Sequence, residues 1–178
     1  IPGRKSGRVR LCPGAVVALC PAVAPAMAGM TVTSDIRYYH VGGSTAESLA
    51  RSMRDNPIEG DHGAAVANVR PQYRLDIDAR QQGQVCRVTD VDLGIRFVTT
   101  LPQADESGMS PRTRAYWRSF IAFTARHEGT HKAIYQQCAR DFIARARRLT
   151  DRTGCGTIQS EARRLLEASK QASESRQA

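Results

Sequence analysis

His127-Glu128-Gly129-Thr130-His131 has the residue types and spacing that metal-assisted hydrolysis requires. On a helix, positions i and i+4 lie one above the other on one face, so the two imidazoles can offer nitrogens to a single zinc ion. Glu128, one residue on, is turned by about 100° around the axis. There it can stand beside the metal and take a proton from bound water without being a ligand. Zinc lowers the pKa of that water from about 15.7 to about 7. Gly129 leaves room for a strand or a substrate to approach. The alternative is a pair of histidines that only hydrogen-bond at the edge of a core. That arrangement leaves ring nitrogens to satisfy and brings two like charges together at low pH. Glu128 in the adjoining slot favours the metal.

A catalytic zinc normally takes three protein ligands and a water, and the third is not evident. Asp141, ten residues beyond His131, lies roughly 15 Å away along the same helix at 1.5 Å per residue. If the following helix folds back about residue 153, a position near 129 lies beside one near 177. Glu161 and Glu167 then face the far end of the first helix, and Glu174 is the one tail carboxylate at about the right height. His40 and His62 read as surface or loop histidines that would have to approach from elsewhere.

The elements that must position the motif can be read from pattern. Ser110-Pro111 starts a long helix, with Ser at the N-cap and Pro in the first turn, running to about residue 150. Its expected inward stripe is Trp117, Phe120, Ile121, Thr124, His127, His131, Ile134, Cys138 and Phe142, in steps of three and four. Gly154 sits in the connection to a second helix over about 157–172. Upstream, residues 35–41 read as a strand, broken by Gly42-Gly43. Ser44-Thr45-Ala46-Glu47 then forms a capping box for a short helix with Leu49, Met53 and Ala50 inward, ending at Asn56-Pro57. Residues 58–67 are a polar loop. Residues 68–78 and 85–100 alternate with period two, which predicts a β-hairpin with its turn over 79–84 and Gly83 supplying positive φ. The class is α+β: a small antiparallel sheet with a short helix, followed by a long antiparallel helical pair carrying the motif, a minimal zincin-like layout.

The first 28 residues read as a signal peptide. Arg4, Lys5, Arg8 and Arg10 form a basic region, an apolar run over 11–23 follows, and Ala26-Met27-Ala28 fits cleavage before Gly29. The run is short and interrupted by prolines, which argues against a transmembrane segment. One domain then spans 31–172, with a polar tail over 173–178. The chain carries net charge +9. Without the leader, 22 basic face 17 acidic residues, a net +5, and the arginines alternate with apolar residues as on a solvated helix face. No basic stripe interleaves with aromatics, so nucleic acid is excluded as a partner. Export leaves Cys86, Cys138 and Cys155 in an oxidising compartment, where three pairings allow one disulfide and one free thiol.

The chain resembles the predicted secreted zinc-dependent proteases of the bacterial envelope, a domain family of unknown function. The stretches that carry the likeness are Tyr38-Tyr39-His40-Val41-Gly42-Gly43-Ser44-Thr45-Ala46-Glu47-Ser48-Leu49, Cys86-Arg87-Val88, Thr100-Leu101-Pro102, Trp117 and the motif itself, in the family's order. The resemblance implies a periplasmic or secreted metallopeptidase with Zn2+ on His127 and His131 and Glu128 as general base. It also implies a disulfide between Cys86 and Cys155, leaving Cys138 as a small buried hydrophobe. It places a Tyr-Asp…Thr-x-His-Gly segment, a source of the third ligand, after the last helix, where this sequence reads Ser173-Glu174-Ser175-Arg176-Gln177-Ala178. A peptide or protein substrate would lie extended along a sheet edge over 93–100, with Tyr135 or His40 near the oxyanion. The alternative function is a non-catalytic envelope protein with a structural or vestigial metal site. Oligomeric state is not encoded in any pattern here.

Overall fold

A computed structural model describes residues 29–60 and 63–177; the signal peptide expected over 1–28 lies outside them. The elements run β1 (Met30–Val41), α1 (Ala46–Asp55), β2 (Ile58–Gly60), β3 (Gly63–Ala65), β4 (Asn68–Gln82), β5 (Val85–Ala104), α2 (Pro111–Ala146), β6 (Thr150–Asp151) and α3 (Gly156–Ser175). The fold is α+β, with a long helical pair laid on a sheet.

The predicted hairpin is β4–β5. Its turn is tighter than expected: Gln82 pairs with Val85, and Gly83 at φ 63° makes the reversal. The register shifts between Asp78 and Ala79, a bulge that carries the ladder past the point where the alternation fades. The sheet is mixed rather than antiparallel. β1 pairs in parallel with β5 along its whole length, from Met30↔Leu93 to Val41↔Ala104, so the order is β1-β5-β4. Alternation reveals which residues share a face, but strand direction depends on the long connection through α1 and β4. A second, two-stranded sheet joins β2 to β3, within the stretch read as loop.

One sheet face is covered by the helices. Val91, Leu93, Ile95 and Phe97 of β5 and Val69 of β4 pack against Tyr135, Ala139, Phe142, Ile143 and Ala146 of α2 and Leu166 of α3. A smaller cluster of Val41, Leu49, Met109 and Trp117 seats α1 against the start of α2. The cap of α1 lies one residue later than expected: Thr45 is the N-cap and Ser48 closes the box. Ser110 caps α2 by accepting from the Thr113 amide.

Cys86 and Cys155 form the disulfide, tying the start of β5 to the start of α3 across 69 residues. Cys138 is free and buried. α3 does not stop at residue 172: it continues to Ser175 with Ser173 buried, so the first half of the expected polar tail belongs to the helix. No helix among the described residues is long and apolar enough to cross a membrane.

Candidate metal centre

The buried seam of α2 is Trp117, Thr124, Glu128, Tyr135, Cys138, Ala139, Phe142, Ile143 and Ala146. At about 100° per residue its centre passes through Glu128, and His127 and His131 fall on its flank. The histidines therefore do not both face the core, as their stripe suggested. His127 is exposed, His131 is half-buried, and Glu128 is 5% exposed. Steps of three and four fit two adjacent phases, and the sheet selects the one centred on Glu128, Tyr135 and Phe142.

The shift brings the histidines to the edge of a cleft of about 260 Å³. Their Nε2 atoms converge to 3.0 Å, and the rings stand nearly perpendicular with centroids 4.6 Å apart. Two nitrogens each about 2.0–2.1 Å from a tetrahedral zinc would be about 3.3 Å apart, so the pair fits one ion. The same contact also permits one ring N–H to donate to the other ring. His131 Nδ1 is buried and has no hydrogen-bond partner among the described residues. Phe123 stacks on His127 at a centroid distance of 6.3 Å.

The opposite wall consists of small residues: Gly60, Gly63, Ala64, Ala65 and Ala67, followed by Asn68 and Val69. A Cβ on Gly60 would come within 2.7 Å of the Ala65 Cβ, so glycine is needed for β2 and β3 to close there. Asn68 Nδ2 donates to the Glu59 carbonyl at 3.0 Å, and the Tyr39 hydroxyl donates to the Val66 carbonyl at 2.8 Å. These bonds hold the wall against β4 and β1. Gly129 faces open space, and none of the described elements uses the room it leaves.

Glu128 is the one acidic side chain among the described residues lining the cleft. Glu174 is not brought there. It lines an adjoining cleft with Arg70, Tyr73, Tyr135 and Lys170. Tyr135 likewise belongs to that cleft, on the buried seam beyond His131. Burial pushes the Tyr73 hydroxyl far above its usual range, so it stays protonated. Glu161 and Glu167 are engaged by Arg164 and Lys170, and Asp141 by Gln137. His40 is exposed on β1, and His62 lies outside the described residues. Among the described residues no third His, Cys, Asp or Glu joins the pair to hold a metal. Residues 93–100 cannot offer a docking edge, because β5 is paired on both sides.

Gln177 also lines the cleft, at a position that the His-Glu motif does not mark. Its amide nitrogen is buried and meets no acceptor among the described residues. The folded-back helix geometry, which sets 177 beside 129, pointed to this position. An amide carries none of the signal of a metal-binding carboxylate, so its residue type alone does not mark the position.

Compared with known proteins, residues 36–178 match the family model described as bacterial protein of unknown function (DUF922). That span is most of the chain, which therefore belongs to this family. No curated protein and no solved structure matches.

Proposed function

We propose that this member of the DUF922 family is an exported zinc-dependent hydrolase that cleaves peptide bonds. The observation that carries the reading is the convergence of the two imidazole Nε2 atoms at 3.0 Å on a cleft whose acidic lining residue is Glu128. His127 and His131 would hold the ion. When bound, zinc supplies a Lewis acid that makes water a nucleophile near neutral pH. Glu128, fixed in position by its burial on α2, would accept the proton of the attacking water. Gln177 donates its free amide hydrogen to the substrate carbonyl oxygen, a role suited to a preorganised neutral donor. The disulfide supports export, because such bonds persist in oxidising compartments.

The lack of a third donor among the described residues favours a second reading: the same two histidines hold a structural or vestigial metal in a non-catalytic envelope protein. Zinc content by mass spectrometry, with hydrolysis of a mixed peptide library, separates these. The hydrolase reading expects near-stoichiometric zinc, its loss in His127→Ala and His131→Ala, and cleavage that vanishes in Glu128→Gln while zinc stays. Full zinc with no cleavage, and a melting temperature lowered by chelation, would establish the second reading. Substoichiometric zinc unchanged by His127→Ala would remove both.

A further inference from the structure

A second cleft, of about 340 Å³, lies between α1 and the first turns of α2. Ala46, Leu49, Ala50 and Met53 line it from α1, and Thr113, Tyr116, Trp117 and Phe120 from α2. Apart from the Thr113 and Tyr116 hydroxyls, its lining side chains carry no oxygen-bearing group. Its mouth is formed partly by Tyr116, which is 61% exposed. A large aromatic so exposed beside an apolar hollow is not explained by the core, which Trp117 and Leu49 already complete.

One flank of α2 leads from this groove toward the metal cleft. Tyr116, Phe120, Phe123 and His127 follow one another at helical spacing on a single flank of α2. Phe123 is 60% exposed and stacks on His127. The flank from Tyr116–Phe120 to His127 covers seven to eleven residues, about 10–16 Å at 1.5 Å per residue. An extended peptide advances about 3.3 Å per residue, so three to five of its residues span the same distance. Charge at the mouth also selects an occupant. The Arg112 guanidinium lies 5.8 Å from the Tyr116 ring centroid. It has no carboxylate partner among the described residues, whereas Arg51 on α1 is paired with Glu47.

We infer that the groove between α1 and α2 is a specificity subsite. It takes a large apolar side chain of an extended peptide, with an acidic residue next to it facing Arg112, three to five residues from the bond at the metal cleft. The inference rests on the peptidase reading for what happens at that bond, but the groove's preference can be measured without turnover.

The test is fluorescence anisotropy on the full mature chain carrying Glu128→Gln, with zinc present. The labelled probes are short Ala/Ser peptides containing Phe-Asp, Ala-Asp or Phe-Ser. The Phe-Asp probe should bind at least tenfold more tightly than Ala-Asp, since burying a Phe side chain contributes that much or more. Ala50→Arg and Tyr116→Ser should bring the Phe/Ala ratio close to one, and Arg112→Ser should erase the preference for Asp over Ser. Equal binding of the Phe and Ala probes, or a Phe preference that survives both groove variants, overturns the inference. Cleavage by the chain with Glu128 intact is scored separately. Anchored binding without cleavage leaves the groove standing and removes the peptidase reading. Cleavage without an apolar preference does the reverse.

Discussion

Replacing both Cys86 and Cys155 by serine should destabilise the fold by about 4 kcal/mol, because the disulfide closes 69 residues and constrains the unfolded chain accordingly. The native structure gives reason to expect most of that figure. Cys86 is fully buried, and its strand pairs with Asp151 just before α3. The start of α3 has no side-chain cap: Cys155 occupies the N-cap position and makes no such hydrogen bond. The cross-link thus stands where a capping residue would otherwise be needed. Urea unfolding of the oxidised chain and of the double variant gives the measurement. With a slope of about 2 kcal/mol per molar, the midpoint should fall by about 2 M. Hydrogen exchange should quicken most around Ile158 and Ala162, the buried residues nearest the lost anchor. A stability difference below about 1 kcal/mol would refute the reasoning. So would loss of protection centred at the Ser173 end of the helix.

Gln177→Ala should lower kcat about 10²- to 10³-fold with zinc content unchanged, as loss of one oxyanion donor does; an unaltered kcat excludes the amide from the reaction. Glu174→Gln should leave zinc content as it is, since Glu174 lines the neighbouring cleft with Lys170 and Tyr73; loss of metal would make it the third ligand after all. The Asp105 carboxyl is held below its ordinary range by the Ser107 amide and then by the Ser107 hydroxyl. A depressed folded pKa stabilises above the unfolded value, and the contribution is lost as pH falls through the folded one. Ser107→Ala keeps the amide and removes the hydroxyl, so the Asp105 midpoint in carboxyl NMR should move up; a midpoint that stays put contradicts this account.

What the sequence made legible was local. The helical pair, the β4–β5 hairpin, the Ser110 cap and the inward faces of β4 and β5 follow from periodicity and turn chemistry within a few residues of each position. Strand direction was not legible. β1 runs parallel to β5 because the chain must cross from Val41 to Val85 through α1 and β4, and no window of residues records that path. The packing of α3 beyond residue 172 was hidden for a similar reason: Ser173 is polar, and its burial comes from its place in α3, where its hydroxyl donates to the Lys170 carbonyl.

The phase of α2 shows that the face drawn for the histidine motif is not the buried one. Taking the two histidines as inward assigns the desolvated position to the imidazoles and leaves Glu128 at the surface. With the seam on Thr124, Glu128 and Tyr135, the burden is reversed. The carboxylate is the group held in place by packing, and His127 remains open to solvent and to the aromatic flank that leads toward α1. On the proposed hydrolase reading, a carboxylate fixed in the core and a histidine pair at the cleft edge suit a reaction in which metal and substrate would arrive from outside while the proton acceptor stays still. The opposing wall, built of glycine and alanine, is consistent with that reading. Larger side chains on β2 and β3 would fill the space between Gln177 and the histidines, which the proposed reading reserves for a peptide carbonyl.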